Sequence, residues 1–130
     1  IATEEAKRSL KADQLYWKGI LKTMSNDFMD AATKANEMKT VLEPIQNPRK
    51  LEGYEELMGH ISYQQKDYKT AIDHFEKTNM QNVYDKYWLA KAYEAAGKEE
   101  KAAAIYKELA NYNFNNVGYA LVRNEVKKKM

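Results

Sequence analysis

Cysteine is absent from this 130-residue chain, which excludes disulfides, thiol nucleophiles and zinc–thiolate sites. Histidine occurs only at His60 and His74. A metal site needs three or more ligands, and no HExxH-type set is present. Glycine is sparse and scattered, at positions 19, 53, 59, 97 and 118, so there is no phosphate-cradling loop, no GxGxxG and no GxSxG. Neither catalysis nor a cofactor nor a metal is therefore expected. The only prolines are Pro44 and Pro48. No apolar run approaches the ~18–20 residues that cross a bilayer, and no period-two alternation marks a strand. Charge of neither sign prevails: 21 Lys+Arg against 19 Asp+Glu leave a formal net of +2. Such a balance sets up no field to steer the chain onto nucleic acid or an anionic membrane. The one basic run, Lys127–Lys129, suits the C-terminal end of a helix. An opening on Ile1 rather than methionine, with no signal-peptide pattern, is what a processed form or an excised piece would show. It leaves the compartment open between cytoplasm and, after removal of a signal, periplasm or exterior.

What is plentiful is helical spacing. In 87–110, YWLAKAYEAAGKEEKAAAIYKELA, Leu89, Ala92, Tyr93 and Ala96 recur every 3–4 residues and Gly97 stands where a left-handed C-terminal cap favours glycine. Ala102, Ala103, Tyr106, Leu109 and Ala110 make a second stripe. The same reading along the chain predicts helices over 3–24, 28–42, 48–65, 68–78, 83–96 and 99–111. A seventh is expected to restart at Asn115 or Asn116. In the first helix Ala6, Leu10, Ala12, Leu15, Tyr16, Gly19, Ile20 and Leu21 are all read as one apolar stripe. Asn47 with Pro48 is read as the cap and first position of the third helix, and Asn82 as the cap of the fifth. By length this is one domain, 1–130.

The small residues repeat in register. Ala90, Ala102 and Tyr106 are 12 and 4 apart; so are Gly59, Ala71 and Phe75, and Gly19, Ala31 and Ala35. Asp27-Phe28 and Asp67-Tyr68 follow Gly19 and Gly59 at eight and nine residues. Gly59 and Ala90 are expected to be crossing points with little room, and the pattern resembles the tetratricopeptide repeat, a helix pair of about 34 residues. That resemblance covers about residues 10–112, as repeats of about 10–43, 48–80 and 83–112. It implies an all-α fold of antiparallel helix pairs stacked as a right-handed solenoid, with a C-terminal capping helix over 115–129. The spacings of 40 and 31 residues between crossing points, and Lys98-Glu99 in place of the third Asp–aromatic pair, make the repeats degenerate. The run 110–123 resembles the ending of a group of often exported bacterial tetratricopeptide proteins.

The family resemblance implies a non-enzymatic scaffold that takes a protein or peptide on its concave face, lined by the first helix of each pair. Around the small residues that face would hold Tyr16, Ile20 and Thr23, then Glu56, His60 and Tyr63, then Tyr87, Lys91 and Glu94. Tyr63, Tyr87 and Lys91 are expected nearest its centre. Aromatic groups mixed with both signs of charge suit a peptide better than a polyanion. For Tyr16 and Tyr87, packing between repeats competes evenly with ligand contact. Glu56 and His60, four apart on one helix, spell a base oriented by a carboxylate, but an ordinary interfacial histidine is the commoner outcome. The carboxylate clamp of chaperone-binding members is not matched: Tyr16, Ile20, Leu57, Tyr84 and Trp88 stand where it places lysine, asparagine and arginine. Two alternatives stay open: self-association through an exposed end bearing Trp17, Trp88 or the tail, giving a homo-oligomer, and an accessory domain of a larger exported protein.

Overall fold

A computed structural model describes residues 3–111. Six α-helices run through it: α1 (Glu4–Met24), α2 (Phe28–Leu42), α3 (Glu52–Gln64), α4 (Tyr68–Phe75), α5 (Val83–Ala95) and α6 (Glu99–Ala110). The described residues contain no strand. The helices group into two units that divide between Thr78 and Asn79. The expected capping helix over 115–129 lies outside the described residues.

In the first unit, α1 to α4 form two antiparallel hairpins. The Arg8 guanidinium, near the start of α1, donates to the Val41 carbonyl at the end of α2. Lys22, near the end of α1, pairs with Asp30 at the start of α2 at 3.3 Å. That lysine, with Lys34, holds the Asp30 carboxyl below its ordinary range. Ala12, Leu15, Ala31, Ala35, Met38, Leu42, Ile45, Leu57 and Ile61 make the core, with Tyr16, Ile20 and Phe28 packed against it. Gly59 does what its spacing predicts, and Gly19 marks a close approach to the next pair. A Cβ on Gly19 would stand 2.6 Å from Leu57 Cδ2, so α1 and α3 touch at that point. A Cβ on Gly59 would stand 2.5 Å from the Phe75 ring, where α3 meets α4. Phe75 is itself fully buried.

The turns inside the hairpins share one geometry. After α1 the Asp27 N–H reaches back to the Lys22 carbonyl, and the Asn26 N–H to that of Thr23. After α3, Asp67 and Lys66 bond Ser62 and Tyr63 in the same way. After α5, Lys98 and Gly97 bond Tyr93 and Glu94. This is the Schellman closure, with the residue before the last in the left-handed region. Those residues are Asn26 (φ 60°), Lys66 (φ 66°) and Gly97 (φ 81°). In two turns the final residue also starts the next helix: Asp27 accepts from the Asp30 N–H and Asp67 from the Thr70 N–H.

The second unit holds α5 and α6. Asn82 caps α5 by accepting from the N–H groups of Tyr84 and Asp85, as its sequence position predicts. The buried Asp85 carboxylate accepts from the Asn79 N–H and ties down the loop before the helix. Tyr87 and Tyr106 meet across α5 and α6 with ring centroids 6.4 Å apart. Lys86, early in α5, pairs with Glu108, late in α6, so this hairpin too is antiparallel. Ala90 is completely buried and Ala102 almost so.

Three expectations change. Pro48 does not open a helix. Asn47 Oδ1 accepts from the Arg49 N–H and its carbonyl from that of Lys50, which holds 47–51 in a turn and delays α3 to Glu52. Helix α4 ends at Phe75 rather than Thr78, because the Thr78 hydroxyl and N–H both take the Phe75 carbonyl. The apolar residues of α1 also do not form one stripe. Ala12, Leu15, Gly19 and Thr23 face the core, whereas Leu10 and Leu21 lie outside it, 60% and 63% exposed.

Candidate functional site

Helices α1 and α3 are the first members of the two pairs in the first unit, and they are joined by more than apolar packing. The Tyr16 hydroxyl donates to Glu56 Oε1 at 2.5 Å, bridging positions 40 residues apart. His60 Nε2 lies 3.8 Å from the same carboxylate oxygen, and both side chains are half-buried. The His60 ring also meets the Phe75 ring edge to face at 5.3 Å. Tyr63, one turn further along α3, packs edge to face on Tyr68 at 5.4 Å. Ile20 sits one turn from Tyr16 and is partly buried against the core. Thr23 is buried and its hydroxyl donates to the Gly19 carbonyl, so it packs within α1. Tyr16, Ile20, Glu56, His60 and Tyr63 are thus half-buried side chains on first helices. They mix two phenols, an imidazole and a carboxylate with an aliphatic group.

On α5, Tyr87 is buried at 9% exposure. Lys91 extends over the Trp88 ring at 4.8 Å and the Tyr87 ring at 5.5 Å. Cation–π contact of this kind holds an ammonium in place without neutralising it. Glu94 is exposed, and the Tyr106 hydroxyl lies 3.5 Å from its Oε1. Tyr87 thus contributes mainly to packing between α5 and α6, while Lys91 and Glu94 present charge.

Chemically the first-unit face can accept hydrogen bonds at Glu56 and offer rings for apolar contact. It contributes no lysine or arginine among these five residues. The His60–Glu56 separation is beyond hydrogen-bond range. No group of three or more His, Asp or Glu side chains converges on a metal position among the described residues. None of the described helices is long and apolar enough to cross a membrane. A shallow groove of about 410 Å³ lies on the α2 side of α1, lined by Lys11, Leu15, Thr33, Asn36, Glu37, Thr40 and Val41.

Two arrangements were missed in sequence. The Tyr16–Glu56 bond depends on contact over 40 residues, for which no local signal exists. His74 Nδ1 and Glu55 Oε2 pair at 2.6 Å between α4 and α3, a contact across 19 residues that no local pattern announces.

No protein-family model matches the chain. No curated protein sequence matches it. Among solved structures, it is similar to the C-terminal TPR-containing domain of a Plasmodium falciparum protein assigned as an FK506-binding protein. The two share 22% identity at a TM-score of 0.60, over 98% of this chain and 93% of that one. The chain has the all-helical fold of a tetratricopeptide-repeat domain.

Proposed function

We propose that this chain is a non-enzymatic scaffold that binds a protein or peptide on the face of its first helices. The ligand lies across Tyr16, Ile20, Glu56, His60 and Tyr63, and Tyr87, Lys91 and Glu94 form the corresponding face of α5. The observation that carries this is the hydrogen bond from Tyr16 to Glu56. It fixes two first-helix side chains from successive pairs against each other, and preorganised polar groups bind at lower entropic cost. A carboxylate accepts several hydrogen bonds at once, so Glu56 can take a donor from a peptide beside the one from Tyr16. The preferred ligand therefore brings a cation or a donor to Glu56 and an apolar side chain to the rings. A C-terminal carboxylate, the ligand of a chaperone clamp, meets no lysine or arginine among Tyr16, Ile20, Glu56, His60 and Tyr63.

The test is selection from a phage-displayed peptide library, followed by titration of the enriched peptides. Tyr63→Ala and Glu56→Gln should each weaken binding by roughly 10–30-fold, as loss of an interface anchor does, with helix content unchanged. Asp73→Ala, on the exposed side of α4, should change nothing. If Asp73→Ala abolished binding while both face variants bound like the parent, the ligand would lie on the second helices instead.

A further inference from the structure

The outer side of α1 carries a second surface. Leu10, Trp17, Leu21 and Met24 are 60%, 62%, 63% and 72% exposed. Successive residues of a helix are about 100° apart, which brings these four into a strip within roughly 40° of Trp17, on the side away from Ala12, Leu15 and Gly19. Their spacing of 7, 4 and 3 residues is that of a seam meant for another helix. From Leu10 to Met24 the strip is about 21 Å long at 1.5 Å per residue. Single exposed apolar residues are ordinary on a protein, but four within about 40° of a tryptophan on one helix make a contact surface, bordered by the exposed Asp13 on the side away from the lysines.

Charge states what fits there. Lys7, Lys11 and Lys18 fall roughly 80–120° from Trp17 on one side of the strip, and all three are exposed. Lys11 stands at the lip of the groove between α1 and α2. None of the three has an ion pair among the described residues, whereas Lys22 and Lys34 are paired. The nearest α2 acid on that side, Glu37, is held by Lys34. A second copy of α1 fits poorly. Antiparallel two-fold pairing would set the lysine edge against itself, and parallel pairing would offer it only Asp13, at the border of the strip, and Glu5, whose carboxylate already accepts from the Gln46 N–H. We infer that this face docks an amphipathic helix of about four turns from another protein. That helix carries leucine-like residues at 3–4 spacing and acidic residues along the edge that meets Lys7, Lys11 and Lys18.

The inference is independent of the α1–α3 face and is tested with synthetic probes. One is an 18-residue helical peptide with leucines at seam spacing and glutamates along one edge. The other has lysines in place of the glutamates. The glutamate peptide should bind the full chain at least tenfold more tightly than the lysine peptide at low salt, and the difference should shrink as salt is raised. Trp17→Ala and Leu21→Ser, both at exposed positions, should each lower affinity about tenfold with unchanged circular dichroism. The triple variant Lys7→Glu, Lys11→Glu, Lys18→Glu should invert the preference between the peptides. No binding of the glutamate peptide, equal binding of both, or a preference indifferent to the triple variant would overturn the inference. So would a dimer in sedimentation that Trp17→Ala dissolves, since the occupant would then be a second copy.

Discussion

The α3–α4 hairpin and the α5–α6 hairpin solve the same problem with opposite economies. Both close with the same Schellman hydrogen bonds. In the first, the left-handed position holds Lys66, which pays a steric cost there, and the next residue, Asp67, caps α4. In the second, Gly97 takes the left-handed conformation without that cost, but Lys98 gives α6 no side-chain cap. The crossing residues differ likewise. Gly59 leaves room that the Phe75 ring fills, while the second hairpin places a buried alanine, Ala90, at the matching register. Each hairpin therefore keeps one favourable turn residue and forgoes the other, and a shared backbone geometry tolerates either choice.

The sharpest way to break this symmetry is at the crossing point. Gly59→Leu should destabilise the chain by about 3 kcal/mol or more, because the Phe75 ring is buried and cannot yield; urea denaturation reads it directly. Gly59→Ala is the subtler probe, since helix propensity alone predicts a gain of ~1 kcal/mol and the clash predicts a loss. Ala90→Leu should cost roughly 1–3 kcal/mol by overpacking, and an unchanged melting temperature would show that the register of the last pair is wrong.

The turn variants come next. Gly97→Ala should cost about 1 kcal/mol: a Cβ there meets open space, so the loss is purely conformational. Lys98→Asp should add about 1 kcal/mol by giving α6 the cap that Asp67 gives α4. Lys66→Gly should add the least, about 0.5 kcal/mol, because relief of left-handed strain is offset by the greater freedom of glycine in the unfolded chain. Equal and opposite responses at 97 and 98 would confirm that the two turns trade cap for glycine; a destabilised Lys98→Asp would refute the trade.

The helices were legible in the sequence because spacing and caps agree: Thr3, Asp27, Asp67 and Asn82 each accept from their own helix's first turn. The start of α3 was not. Asn47 followed by Pro48 spells a helix start equally with the local turn that it makes. Periodicity also failed on α1, where a count of apolar residues merged two opposite faces. Separating 12, 15, 19 and 23 from 10, 17, 21 and 24 requires the phase of the pattern as well as its presence. Of the candidate site, the side chains were legible and their pairing was not. An aromatic residue on a first helix reads identically whether it packs, as Tyr87 does, or lies half-exposed, as Tyr63 does. Tertiary contact alone distinguishes them.

The most direct test of the α1–α3 face is amide chemical-shift mapping of the ¹⁵N-labelled chain with a library-selected peptide. The largest changes should fall on Tyr16, Ile20, Glu56, His60 and Tyr63, with little change along the exposed positions of α2 and α4. Changes confined to α2 and α4, with those five residues still, would contradict binding at that face.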